Sequence, residues 1–425
     1  MNLNVSRNRE RFGYILIYLL LLVSNGYQLS VYSGIIRLLM LLGLFVLLIF
    51  CRFGRMAQMK INRLSLLIFT GAVCNIFFTA LVNGQGFNQI IISVAFFLSA
   101  FMYTVVYDPD GFIEKYIKLM RFLCVFSLIL YFAAKLIPQA LTWLPVVSNV
   151  NGLPAYNAVF STICINYLIR NQGIFWEPGA YQTFINLAML FNLFAFKKDR
   201  MINLIIFGIT IFTTYSTTGY IVALIILLVF VSHSLSKAER EKQRSVLGKV
   251  CAAVVLITAG LIVYNSLSDT AKFQVFGKIS LYIENGRYSS TSVRIDAFTY
   301  PFRQFVERPF FGSGTDRISE LALSSGYNMN TNTIVNWFAM FGFFMGIGMN
   351  LGLYGLCVRL ESKTAVRILL FAAVLLSMSS EDYVRNPSIL VFVFYGYHYL
   401  ELKAAGLRNG AAVIEASAGL PKTNQ

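Results

Sequence analysis

The segment Arg170-Asn171-Gln172-Gly173-Ile174-Phe175-Trp176-Glu177-Pro178-Gly179 sets a guanidinium, an indole and a carboxylate close together, directly before an apolar run. Pro178 disfavours helical backbone at Glu177, so the carboxylate is expected where a helix begins. There it could take a proton from a sugar hydroxyl as a general base, cap the helix, or pair with Arg170.

A second stretch, from about Leu267 to Val335, is the longest break in an otherwise apolar chain. Arg287, Arg294, Arg303, Arg308 and Arg317 lie in it with Lys272 and Lys278. Asp269, Glu284, Asp296, Glu307, Asp316 and Glu320 nearly cancel their charge. The stretch is therefore no general trap for polyanions, but it can present individual arginines. A guanidinium fork matches phosphate oxygens two at a time, and it can stabilise charge developing on a leaving oxygen. Arg294 lies on a stretch read as helical, where it either meets substrate or pairs with Asp296 or Glu307. Arg385 is a further candidate, beside the acid pair Glu381-Asp382.

Other chemistries find little support. His233 and His398 fall at expected cytoplasmic ends, without partners at metal-ligand spacing, and the six cysteines are scattered. No metal and no cofactor are expected. Gly312-Ser313-Gly314 lacks the lysine and hydroxyl of a nucleotide loop and reads as a tight turn.

These residues must be positioned by membrane helices. Of 425 residues, 57% are hydrophobic and 13% charged, against about 25% charged in soluble domains. The net charge of +16 does not indicate nucleic acid, because the basic residues cluster in short connectors between apolar spans, where they specify topology. Spans are expected at 12–24, 31–50, 64–82, 87–106, 120–137 and 183–196, then as two short spans within 201–231 that meet at Ser216–Gly219. The remainder are 250–264, 334–356, 368–379 and 388–400. The reading is an all-α polytopic membrane protein of about twelve transmembrane helices, with both termini cytoplasmic. Residues 1–400 form one domain. It includes an outer loop at 139–182, with a re-entrant helix at Ala155–Ile169, and a large outer loop at 267–333 between spans nine and ten. Residues 401–425 are expected as a flexible cytoplasmic tail.

At this point the motifs show a likeness. Arg170 to Gly179 resembles the R-x-x-G-x-F-x-E-P segment of bacterial surface-polysaccharide polymerases, in the superfamily of O-antigen polymerases and ligases. Thr214 to Gly219 resembles the T-x-S-x-x-G element of that family. Arg294 with Glu307 to Gly314 resembles its R…E-x-P…G-x-G stretch, and Thr331 through Gly342 resembles the segment entering the next span. The likeness covers roughly 165–345. The ligase branch carries H-N where this chain has Thr331-Asn332, a departure that favours a polymerase of O-antigen, capsular or exopolysaccharide repeat units.

The resemblance implies an inverting glycosyl transfer without metal. A lipid-linked repeat unit would attack the anomeric carbon of the growing chain on its carrier, lengthening the glycan at its reducing end and releasing undecaprenyl pyrophosphate. Arg170 and Arg294 would hold the pyrophosphate and Glu177 would orient or deprotonate the acceptor. Arg287, Arg303, Arg308, Arg385, Asn332 and Trp176 are expected to contact substrate. The implied partners are the undecaprenyl-pyrophosphate-linked donor and acceptor, with a chain-length regulator as a further candidate. The implied location is the bacterial cytoplasmic (inner) membrane, with the site at its periplasmic or extracellular face. An O-antigen ligase acting on lipid A core and a lipid-linked oligosaccharide flippase are the competing readings.

Overall fold

The computed structural model describes residues 2–26, 34–53, 61–148, 154–164, 170–196, 198–237, 290–324, 331–361 and 363–418. In chain order the helices are α1 (Asn2–Leu21), α2 (Gly34–Phe53), α3 (Arg63–Asn83), α4 (Phe87–Val106), α5 (Pro109–Leu136), α6 (Pro178–Phe194) and α7 (Arg200–Thr213). They continue with α8 (Thr217–Lys237), α9 (Ser290–Glu307), α10 (Gly314–Ser324), α11 (Thr333–Leu360), α12 (Thr364–Met378) and α13 (Pro387–Ala418). The α7–α8 break falls at the hydroxyl-rich bend that the sequence marks.

The twelve-span expectation is corrected. Among the described residues five helices are long and apolar enough to cross a membrane: Arg63–Asn83, Phe87–Val106, Pro109–Leu136, Thr217–Leu235 and Thr333–Leu360. Several long apolar helices make this a multi-pass membrane protein. The reading failed because it counted every apolar run between basic connectors as a crossing. Helices α6, α7 and α12 have 17, 14 and 15 residues. At 1.5 Å per residue they reach only about 21–26 Å, short of the roughly 30 Å hydrocarbon core. The expected ninth span at 250–264, and with it the start of the large loop, lies outside the described residues. So a loop between spans nine and ten is not supported either.

Two local expectations also change. Where a re-entrant helix was expected at 155–169, the chain forms a three-stranded antiparallel sheet, β1 (Val146–Ser148), β2 (Pro154–Asn157) and β3 (Thr162–Cys164). Its register pairs Val147 with Ala155 and Tyr156 with Ile163. Short apolar runs do not discriminate helix from strand by periodicity. Helix α13 continues to Ala418, through most of the stretch read as a loose tail.

The core forms where α11 and α13 pack along their lengths, with α4 and α12 against them. Gly352 and Gly355 face Gly396 so closely that a Cβ on any of them would strike the opposing backbone. Small residues at such crossings let helices approach closely in lipid.

Helix α11 is broken. Gly342 has φ 82° and ψ −173° in mid-helix, which interrupts the hydrogen-bond ladder. The turn Pro309–Gly314 fills the interruption: Ser313 N–H donates to Ala339 O (2.7 Å) and Pro309 O accepts from Phe343 N–H (2.7 Å). Gly312 has φ 68°, and its Cα lies so close to α11 that an added Cβ would be 2.5 Å from Met340 C and O. From the other side α3 holds the same turn. Thr79 Oγ1 donates to Phe311 O (2.8 Å), Asn83 Nδ2 to Gly312 O (3.1 Å), and Arg308 Nη1 to Asn83 Oδ1. Just beyond α3, the Gln85 carboxamide oxygen caps α10 by accepting from Thr315 N–H (2.7 Å) and Asp316 N–H (3.3 Å).

A Cβ at Gly342 would strike Phe310 O while the backbone holds a positive φ. Gly342→Ala should therefore destabilise the protein by about 2 kcal/mol or more, seen as a lower thermal midpoint in detergent. Gly208→Ala, where nothing lies within 4 Å, should be neutral or gain up to about 1 kcal/mol.

Candidate active site

Hydrogen bonds draw five chain segments to one end of the helix bundle. Thr333, at the start of α11, donates through N–H (3.2 Å) and Oγ1 (2.7 Å) to Glu381 O, and accepts from Tyr383 N–H (2.7 Å). Trp337 Nε1 donates to Val384 O (3.2 Å). The Ser379–Asn386 loop is thereby stapled onto α11. Gln182 of α6 donates to Ser380 Oγ (3.2 Å), and Asn186 Nδ2 donates to Gly219 O (3.2 Å) on α8. Arg385 Nη1 donates to Gln89 Oε1 (2.9 Å) on α4.

Glu177 stands at the N-cap of α6 in extended backbone (φ −156°, ψ 163°), as Pro178 demands, and its side chain makes no capping bond. A carboxylate is favoured there by the helix dipole. It is half-buried, and among the described residues its side chain has no hydrogen bond or ion pair. Glu381 is its neighbour across Gly179. A Cβ on that glycine would be 2.5 Å from Glu381 Oε1 and 3.4 Å from Glu177 Oε1. Glu381 Oε2 accepts from Trp176 Nε1 (3.4 Å), and the Trp176 ring meets Tyr383 edge-on at 5.8 Å. Burial first, then the Glu381 charge, raises the Tyr383 phenol well above its usual range, so it stays protonated.

Asp382 extends this acidic surface. Its side chain is exposed to solvent, next to the buried Glu381. Its Oδ1 accepts from Val384 N–H (3.0 Å). Burial raises its carboxyl pKa, and the Val384 N–H, the Arg385 charge and the nearby Asn336 amide pull the other way. Asn336 is fully buried and neither of its amide atoms reaches a partner at hydrogen-bond geometry. Burial lowers the pKa of Arg385, opposed by Asp382 and Asp316.

The expected residues separate into groups. Trp176, Glu177, Asn332 and Arg385 come to this end of the bundle, with Asn332 as the N-cap of α11 accepting from Val335 N–H (3.4 Å). Arg170 serves the scaffold: Nε donates to Thr214 O (3.0 Å) and Nη2 to Tyr215 O (3.1 Å), which ties its loop to the α7–α8 bend. Arg303 is exposed and pairs with Glu307 (3.4 Å) along α9, and Arg308 holds Asn83. Arg287 and the side chain of Arg294 lie outside the described part, although α9 includes Arg294. Among the described residues no three His, Cys, Asp or Glu side chains group as a metal site. Glu381, Asp382, Asn336 and Gln89 were not among the expected site residues. The acid pair beside Arg385 was the one signal that pointed to them.

A broken helix, the carboxylates of Glu177 and Glu381, and Arg385 characterise a multi-pass membrane protein with polar groups gathered at one end of its helices. The family model described as O-antigen ligase matches residues 202–360, from α7 to the end of α11, so a domain of that polymerase and ligase superfamily is present there. The match supports, in general terms, an enzyme of that glycosyl-transfer superfamily. The Arg170–Gly179 segment and the Ser379–Asn386 loop flank the matched range. No curated protein matches the chain.

The folded Asp382 carboxyl has a raised pKa, so its contribution to stability is intact below the unfolded value and is lost as pH rises through the folded one. Asp382→Asn should raise the thermal midpoint at neutral pH, and the gain should shrink as pH falls through about 4. A lower midpoint at neutral pH would mean that Arg385 and Val384 outweigh burial.

Proposed function

We propose that this protein joins undecaprenyl-pyrophosphate-linked oligosaccharide repeat units into surface polysaccharide at the extracytoplasmic face of the bacterial inner membrane. The observation that carries the reading is Glu177: a half-buried carboxylate without a partner among the described residues, beside Glu381. A carboxylate so placed can accept a proton from an acceptor hydroxyl. The oxygen bonds to the anomeric carbon from the face opposite the carrier. The bond from that carbon to the pyrophosphate oxygen breaks, and undecaprenyl pyrophosphate leaves with the electron pair. In-line attack inverts the anomeric centre.

Arginine supports the departing charge. Arg385, held by Gln89 next to Asp382, is one such group, and Arg294 and Arg287 keep the role that the resemblance implies. Arg170 acts at one remove, by holding the loop that carries Trp176 and Glu177. Trp176 and Tyr383 supply ring faces beside the carboxylates. No step requires a metal, and a chain-length regulator would act on the length of the product.

The matched family description favours one second reading, transfer of finished glycan to lipid A core by a ligase. Thr331 stands where the ligases carry histidine, which weighs against it.

A gene deletion in the native host, with surface glycan resolved by gel, separates these readings. Complementation would use wild type, Glu177→Gln and Arg294→Ala, with membrane protein levels checked by blot. The expected outcome is a ladder collapsed to single capped repeats, rescued by wild type and reduced at least tenfold in the variants at equal protein level, as for loss of a general base worth about 10²–10⁴. Loss of all capped glycan, with long lipid-linked chains accumulating, would make the protein a ligase. Repeat units trapped on the cytoplasmic side would replace both readings with a flippase.

A further inference from the structure

Helix α9 has three distinct sides. At 100° per residue, Ala297, Pro301, Gln304 and Phe305 share one side. The first three are buried, Phe305 is half-buried, and its ring meets Phe338 of α11 edge-on at 5.3 Å. Thr299, Arg303 and Glu307 share a second side, exposed and carrying the Arg303–Glu307 pair. Between them runs an apolar stripe of Ile295, Phe298, Phe302 and Val306, which are 45%, 49%, 48% and 60% exposed. Phe298 and Phe302 stack along it with ring centroids 5.8 Å apart.

A helix on a water-facing loop has no reason to carry such a stripe. The stripe is continuous with surfaces that the fold turns to lipid. Beyond it, Phe310 is exposed, and Phe311 packs against Phe78 of α3 at 5.9 Å. Around that contact Phe77, Phe78, Leu81 and Val82 of α3 and Phe343, Phe344, Ile347 and Leu351 of α11 are exposed on helices long enough to cross the bilayer. Asn83 holds Arg308, so the C-terminal end of α9 is fixed at the level where α3 leaves the hydrocarbon.

We infer that α9 is an interfacial helix. It lies in the leaflet that holds the C-terminal end of α3, with Ile295, Phe298, Phe302 and Val306 among the acyl chains. Arg303 and Glu307 face water, and Phe305 faces α11. One apolar side and one charged side separated along a single helix is the pattern that seats a helix at a bilayer surface. Seated so, α9 fixes the height of the Pro309–Gly314 turn that follows it, and through the turn the break in α11.

The test uses the full chain in vesicles, comparing phosphatidylcholine with the same lipid brominated on its acyl chains. Phe302→Trp and Arg303→Trp are each measured as the fluorescence increment over wild type, with Leu351→Trp as the lipid-facing reference. The tryptophan at 302 should be quenched by brominated lipid like the reference and roughly twofold or more above the one at 303. Aqueous iodide should quench the one at 303. Equal quenching at 302 and 303, or iodide quenching at 302, would overturn the inference. So would quenching at 302 by neither agent, with crosslinked dimers through this face, which would make a second copy the occupant. The readout needs no substrate, so it stands or fails independently of the proposed glycosyl transfer.

Discussion

The structure depends on one constraint: backbone groups released inside a membrane helix must find partners, because lipid supplies none. The break at Gly342 frees Ala339 O and Phe343 N–H in the middle of α11, and each would cost about 1–3 kcal/mol if left buried and unpaired. The Pro309–Gly314 turn meets both, and α3 grips that turn through Thr79 and Asn83. Two glycines at positive φ are needed for this, Gly312 on the turn and Gly342 on the helix, because each Cα lies against the other's backbone. A loop that could have been a loose connector becomes part of the membrane domain. The N-terminal half of α11, from Asn332 to the break, is held by it at one end and by the Ser379–Asn386 loop at the other.

That same half-helix supports the acidic surface. Thr333 and Trp337 clamp the backbone of Glu381, Tyr383 and Val384, so the positions of Glu381 and Asp382 are fixed by main-chain bonds. Glu177 is set by different means, a proline-started helix whose second and third turns pack at Ser380 and Gly219 through Gln182 and Asn186. Two independent scaffolds thus converge on Gly179, the one residue small enough to let both carboxylates approach.

What was legible in the sequence follows from how local each signal was. Glu177 at a helix start is written in Glu177-Pro178, the Gly312–Gly314 turn in its glycines, and the α7–α8 break in the run of hydroxyls at Thr213–Thr218. The hold of Arg170 on the α7–α8 bend was not legible, because the carbonyls of Thr214 and Tyr215 lie more than forty residues on. Nothing local distinguishes an arginine reserved for phosphate from one satisfied by carbonyls. Glu381 and Asp382 were legible only as an acid pair, since their importance comes from Thr333 and Gly179, both remote in sequence. The span count failed on geometry. Hydropathy marks α6, α7 and α12 as apolar, but their caps make them too short to cross.

Charged groups on the bundle are met in different ways. Arg359 pairs with Asp110 (3.3 Å), Arg121 with Asp199 (3.1 Å), and His233 with Glu361 (2.7 Å) at near-complete burial. Such pairs fix helix ends and leave little capacity for a ligand. Beside Glu381, Arg385 meets a neutral glutamine, Asp382 meets a backbone N–H, and the fully buried Asn336 amide lies close to the Asp382 carboxylate. A guanidinium held by a neutral amide instead of a carboxylate keeps its full charge for an anion, and that is the property the proposed reaction asks of Arg385.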